Sequence, residues 1–252
     1  MINYFTYDGK SSRDFDLYIS GAGTYDAPAR KIDEVEIPGM NGVLHQDSDT
    51  FENVDITYSG AFMFQPTRKG KDLPIKGMYI YDDLRLRIGA LRAWLAKPRS
   101  YVRLEDTYHP DEYRMAIYKE SFDPTMWYDL SAMQVDLTFN CKPQRFLKIG
   151  EDAVVATGNR TILNPTIFDS KPLIRAYGTG SFTIGGVTMN VTSADEYTDI
   201  DCELMECYKG ERNCNANVSS DNYAFPTIPP EESEIKMEGF SRLEIVPRWW
   251  TL

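Results

Sequence analysis

Histidine is nearly absent from this chain of 252 residues, which holds only His45 and His109. Both are expected in solvated loops, and no Gly-x-Ser-x-Gly or other nucleophile motif accompanies them. A histidine-based catalytic site is therefore not expected. Cysteine is also scarce, with Cys141, Cys202, Cys207 and Cys214. None forms a Cys-x-x-Cys pair and no histidine lies in their half of the chain, which argues against a zinc site. The thiols are expected to be reduced, with Cys202 and Cys207 packed beside strands. A Cys207–Cys214 disulfide would close the CYKGERNC loop but conflicts with assembly in the cytoplasm. No apolar run approaches the roughly 20 residues that cross a bilayer. The start, MINYFTYDGKSS, lacks the charged beginning and apolar centre of a signal peptide. Synthesis and folding in the cytoplasm, without membrane insertion, are the expectation.

A surplus of basic charge is missing too. Against 27 Lys and Arg stand 38 Asp and Glu, a net charge of −11. The excess is spread evenly: residues 1–143 hold 17 basic and 22 acidic side chains (−5), leaving 10 and 16 (−6) for 144–252. Neither half carries the basic patch of a nucleic-acid binder. The glycines at Gly178-Thr179-Gly180 and Gly185-Gly186 have no helix after them, so they read as turns and not as phosphate cradles. The Asn-x-Ser/Thr triplets at Asn159, Asn190 and Asn217 have no secretion signal to give them meaning.

What is present points to β structure. Apolar residues make up 42% and charged residues 26%, the range of a globular protein. Aromatics reach 13%, with 16 Tyr, which favours strands. Residues 51–64 alternate most clearly. Val54, Ile56, Tyr58, Phe62 and Phe64 share one face, and Asp55, Thr57, Ser59 and Met63 the other; Gly60 suggests a bend or bulge. A polar loop follows from Gln65 to Gly77. Leu84, Ile88, Leu91 and Leu95 then recur at steps of four, three and four. That spacing predicts one amphipathic helix, capped by Asp82 or Asp83, carrying Arg85, Arg92 and Lys97 outside its apolar stripe and stopped by Pro98. Tyr101–Leu104 and Tyr113–Tyr118 read as a hairpin. Gln134–Asn140 alternates strictly, until KPQRFLKIGED (Lys142 to Asp152) breaks the pattern. The domain boundary is placed there, giving domains 1–145 and 146–252.

The second half shows no helical period. Strands are expected at Leu173–Tyr177, Ser181–Ile184, Val187–Val191, Thr198–Met205 and Arg242–Trp250, with Gly185-Gly186 as a two-residue turn. Short strands with turns every 8–12 residues predict a β-sandwich. Asp199, Asp201 and Glu203 would share a strand face. Three carboxylates together could bind calcium or act as glycosidase acids; the plainer alternative is a solvated face with Ile200, Cys202 and Leu204 turned inward. Trp249 and Trp250 would point to opposite faces, one into the core and the other outward as a candidate exposed contact with a neighbouring protein or a sugar.

Several stretches carry a resemblance: GKSSRDFDLYIS (Gly9 to Ser20), APARKIDEVEIPGMNGVLHQD (Ala27 to Asp47) and TFENVDITY (Thr50 to Tyr58). They are joined by NPTIFDSKPLIRAYGTGSFTIGG (Asn164 to Gly186), DIDCELMECYKG (Asp199 to Gly210), FPTIPPEESEI (Phe225 to Ile235) and VPRWWTL (Val246 to Leu252). In their order and spacing they resemble the distal tail protein (Dit) family of long-tailed bacteriophages and prophages. Met40 and Phe51 stand where relatives often have a basic residue and a tyrosine.

The resemblance implies a mainly β chain of two domains: an N-terminal α+β, tail-tube-like sandwich or barrel with one helix, and a C-terminal all-β, galectin-like sandwich. It implies a structural hub of the tail tip or baseplate and not an enzyme, with no cofactor and no metal. Six copies would form a ring joining the tail tube protein to the tail-associated (Tal) hub protein, with baseplate or receptor-binding proteins as further partners. Six chains would carry 6 × −11 = −66 charges, so DNA could pass through without being held. The expected subunit contact is Ile37-Pro38-Gly39-Met40-Asn41-Gly42, a turn-rich segment with two apolar side chains that need a cover; the alternative is an intrachain turn folded over its own domain. A host-wall carbohydrate-binding module is the alternative function. Against it, Asn164-Pro165-Thr166 lacks the His and Arg of the galectin sugar site, and no Trp occurs between Trp127 and Trp249. A third reading, glycan hydrolysis by the acids of 199–206, has Glu206 available as a partner, but a hydrolase domain of about 100 residues would be small.

Overall fold

The computed structural model describes residues 2–20, 25–63, 78–126 and 132–252. Phe64, the loop 65–77, and the side chains of Met63, Asp82, Asp83, Leu84 and Arg85 lie outside the described residues. The chain divides into two compact units, 1–144 with Leu252, and 145–251. The protein is mainly β, with one α-helix among the described residues.

In the first unit a curled antiparallel sheet runs in the order Lys10–Ser11, Phe5–Tyr7, Val102–Asp106, Glu112–Tyr118, Ala132–Leu147, Val54–Met63, Leu17–Ser20. The alternation of Val54, Ile56, Tyr58 and Phe62 is what the fold buries. Opposite them, Val135, Leu137, Phe139 and Cys141 supply the same face of the next strand. The expected irregularity at Gly60 is absent: pairing continues unbroken from Val54↔Cys141 to Met63↔Ala132. Gly60 has a different reason. A Cβ there would stand 3.0 Å from Leu17 Cδ1 and 3.1 Å from the Tyr18 carbonyl oxygen, so the position is small because the neighbouring strand is close.

The helix spans Met78–Ala96, starting before the expected Asp82/Asp83 cap and ending ahead of Pro98. It buries Leu91 and Leu95, with Ile88 partly covered. Each fully buried leucine contributes about 1.5–3 kcal/mol. Trp94 joins this stripe, which aliphatic spacing alone did not include. Its ring stacks on Phe15 with centroids 4.7 Å apart, and its Nε1 donates to the Tyr7 carbonyl at 3.1 Å. Phe5, Tyr7, Tyr58 and Phe139 complete an aromatic core around it.

The strand expected to break at Lys142 instead runs to Leu147. Side-chain alternation fades there, but the backbone ladder does not: Arg145 and Phe146 pair with Thr251 and Trp250. The second unit is a sandwich. Its six-stranded sheet runs Val154–Ala156, Arg242–Val246, Leu173–Tyr177, Tyr197–Asp201, Glu206–Lys209, Arg212–Asn213. Its five-stranded sheet runs Arg160–Asn164, Glu231–Glu238, Gly180–Ile184, Val187–Val191, Val218–Ser220. Ile174, Ala176, Ile200, Leu243 and Ile245 from the first meet Ile162, Phe182, Ile184, Met189 and Ile235 from the second in one core. Gly185 and Gly186, with φ of 57° and 79°, form the two-residue turn their sequence predicts. Two strands are shorter than expected. The one through Thr198 stops at Asp201, where a turn over Cys202–Met205 begins. The one from Arg242 stops at Val246, ahead of Pro247 and of Arg248 at φ 58°.

Candidate interaction surface

Among the described residues, Arg30–Glu36 and Val43–Phe51 pair only with each other, as a separate two-stranded hairpin. Every residue of the first strand is exposed, and every residue of the second except the partly covered Phe51. Val35 lies across from Leu44 and Glu36 across from Val43, so apolar groups occupy both faces. The tip holds the six expected contact residues, Ile37, Pro38, Gly39, Met40, Asn41 and Gly42. The Met40 amide donates to the Ile37 carbonyl at 3.1 Å, and Gly39 sits at φ 88°. With Pro38 before it, this is the pattern of a type II turn. The hydrogen-bonded turn is at Pro38-Gly39, and the chain bends again through Asn41-Gly42, where Gly42 also sits at φ 88°. Ile37 is 37% exposed and Met40 64%.

Charge pairs hold the arm in register. Arg30 Nη1 contacts Asp47 Oδ2, and the Ser48 hydroxyl donates to the Lys31 carbonyl at 3.0 Å. His45, expected in a loop, lies on the second strand with its Nε2 3.5 Å from Glu34 Oε1. An isolated two-stranded hairpin is marginal in water. This one leaves Ile32, Val35, Val43 and Leu44 uncovered as well as its tip.

The other candidate contact divides. Trp249 is 5% exposed and belongs to the sandwich core, so it is not an exposed contact. Trp250 is partly exposed, and its ring stacks on Phe168 at 4.3 Å while its Nε1 donates to the Asp169 carbonyl at 2.9 Å. A ring already stacked within its own unit offers only its remaining side to a partner.

The acids of 199–203 are not a solvated face. Asp199 and Asp201 are 4% and 3% exposed. Asp199 accepts from Arg175 Nε and Nη2 at 2.6 and 2.9 Å. Asp201 accepts from both terminal nitrogens of Arg248 at 2.8 Å. Glu203 is exposed beside Lys171, and Leu204 is turned outward, 62% exposed. The hydrogen bond to Asp199 also raises the Arg175 pKa. Each aspartate's charge is spent on a guanidinium, leaving neither carboxylate for calcium or for a glycosidic bond. Arg175 and Arg248 were invisible to pattern reading, because nothing local says which strand an arginine will face. Among the described residues no group of three His, Cys, Asp or Glu side chains could hold a metal ion.

His109 is not solvated either. In the loop after Asp106 its side chain is 17% exposed, with Nδ1 3.2 Å from Asp106 Oδ1, while Tyr58 Oη donates to Asp106 Oδ2 at 2.6 Å. The cavity beside these groups has about 10 Å³, room for about one water. All four cysteines are free and buried. Burial pushes the Cys141 and Cys207 thiols up to about 12.

The whole chain superposes on the SPP1 Dit (gp 19.1) protein, described as a paradigm of the hub adsorption apparatus in phages infecting Gram-positive hosts. The TM-score is 0.70 at 14% identity, with 100% of each chain covered. This chain has the Dit fold. The phage p2 baseplate in its activated conformation is also similar, at a TM-score of 0.50 and 9% identity over 97% of each chain. No family model matches the sequence, and no curated protein matches it. At such identities the Dit fold is what is shared, and side-chain roles are not transferred with it.

Proposed function

We propose that this chain is a structural hub protein of the tail tip or baseplate of a long-tailed phage, without catalytic activity. The observation that carries this is the full-length Dit fold, shared with the SPP1 hub protein over 100% of both chains. In this reading residues 1–145 form a ring of six, 146–252 form a galectin-like sandwich outside it, and the ring joins the tail tube protein to the Tal hub. Baseplate or receptor-binding proteins would dock on the assembled hub. Assembly takes place in the host cytoplasm, DNA passes through the pore, and the virion tail tip is the final location. Among the described residues no helix is long and apolar enough to cross a membrane.

The Arg30–Phe51 hairpin supports a ring. A cyclic assembly needs a head-to-tail contact between two different surfaces of one subunit. An arm with apolar side chains on both faces is suited to lie against a neighbour's sheet. Negative-stain microscopy of the purified full chain, combined with light scattering, tests the proposal. Six-membered rings around a central pore are the expected outcome; particles that remain monomeric at high concentration would overturn the ring.

A further inference from the structure

The hairpin of Glu206–Lys209 and Arg212–Asn213 forms the edge of the six-stranded sheet and closes at Gly210, with φ 59°. Its register sets Tyr208 opposite Asn213 and Lys209 opposite Arg212. One step further along, just past the outer strand, Cys214 sits at φ −122° and ψ 11°; its amide donates to the Cys207 carbonyl at 2.8 Å, while the Cys207 amide donates to Asn215 Oδ1 at 2.6 Å. Both residues are buried in the sandwich core, Cys207 at 2% and Cys214 at 8% exposure. A backbone hydrogen bond of this kind holds the Cα atoms of the two residues within roughly 5–6 Å of each other. A disulfide spans Cα separations of roughly 4.4–6.8 Å.

We propose that Cys207 and Cys214 form a cross-strand oxidation site, held as two thiols in a reducing compartment and closed to a disulfide by small-molecule disulfides such as oxidised glutathione. The Cys214 thiolate attacks one sulfur of oxidised glutathione, the glutathione S–S bond breaks, and one glutathione leaves as thiolate. Cys207 then gives up its proton to water, and its thiolate attacks the Cys214 sulfur and expels the second glutathione. Two protein thiols are oxidised, one disulfide is reduced, and the two protons end on the released glutathiones. Cys214 is the entry point because it is the more exposed of the two residues. Cys207, whose thiol burial holds near 12, is the resolving group, and its deprotonation limits the second step. The closed bridge would pin the edge hairpin, whose outer strand has two residues.

Incubating the folded full-length protein with oxidised glutathione, then alkylating and mapping peptides by mass spectrometry, tests it. The expected product has lost two hydrogens and links the Cys207 and Cys214 peptides. The glutathione adduct on Cys214 should decay about tenfold faster per pH unit between roughly pH 7 and 9, as the Cys207 thiolate fraction grows. Cys207→Ser should trap that adduct and Cys214→Ser should form neither adduct nor bridge; the wild-type map decides even where a variant fails to fold. Cys202 is the competing partner, since Cys207 pairs with Ile200, two residues before it. A Cys202–Cys207 link, a wild-type adduct that never resolves, or thiols that react only after unfolding in urea would each overturn the proposal.

Discussion

Arg248 grips Asp201 with both terminal guanidinium nitrogens, each 2.8 Å from a different carboxylate oxygen. Asp201 Oδ1 also accepts from the Glu203 and Leu204 amides at 3.0 and 3.1 Å. One ion pair therefore joins the segment before Trp249 to the turn that ends the Tyr197–Asp201 strand. Arg248→Met should cost roughly 2–4 kcal/mol, because it strands a buried carboxylate. Urea unfolding followed by tryptophan fluorescence measures it. A loss under about 0.5 kcal/mol, the range of an exposed pair, would show that water replaces the guanidinium.

The same pair sets an acid limit. Burial pushes Asp201 up, but Arg248 and the turn amides outweigh burial and hold it below its ordinary value of 3.8. A carboxyl whose folded pKa is depressed contributes stability above its unfolded pKa and loses it as the pH falls through the folded value. The stability gap between wild type and Arg248→Met should accordingly narrow as the pH drops below about 4. Paired unfolding curves between about pH 3 and 7 measure this. A gap that stays constant would mean that Asp201 does not carry the difference.

Gly150→Ala should be among the costly single-methyl changes. A Cβ there would stand 2.4 Å from the Trp249 amide nitrogen, where the Gly150 carbonyl accepts from Arg248 N and the Trp249 carbonyl from Leu147 N, both at 2.8 Å. Backbone must move, at a cost of about 3 kcal/mol. A thermal midpoint equal to wild type would contradict the close approach.

Trp94→Ala should remove the stack on Phe15 and the bond to the Tyr7 carbonyl together. The loss expected for a buried tryptophan is about 3–5 kcal/mol. Unfolding monitored by circular dichroism should show it in the helix-containing unit. A helix that melts with the wild-type midpoint would place the docking energy in Leu91 and Leu95 alone.

Replacing Ile37 and Met40 together by Asp should leave the fold intact, because both are exposed within the chain. It should prevent assembly of the proposed six-membered ring, since an unpaired charge buried at a contact is costly. Light scattering with circular dichroism separates the outcomes. A hexamer that persists would place the subunit contact elsewhere on the surface.

Some of this was legible without coordinates. The alternation around Ile56 and Tyr58, the stripe of Ile88, Leu91 and Leu95, and the Gly185-Gly186 turn are set by nearest neighbours along the chain. Period and backbone freedom are local properties, and the order of the quoted segments was enough to suggest the Dit family. What only the tertiary structure decided concerns partners far apart in sequence. Gly60 is small because of Leu17 and Tyr18; Asp199 and Asp201 are buried because Arg175 lies 24 residues away and Arg248 lies 47 away. The carboxylate pattern that resembled a solvated face became two buried ion pairs because strand order in the six-stranded sheet sets Arg175 beside Asp199, and the segment after the Arg242–Val246 strand brings Arg248 to Asp201. Alternation says which residues share a face, but burial of that face depends on what packs against it, and no local pattern encodes the neighbour.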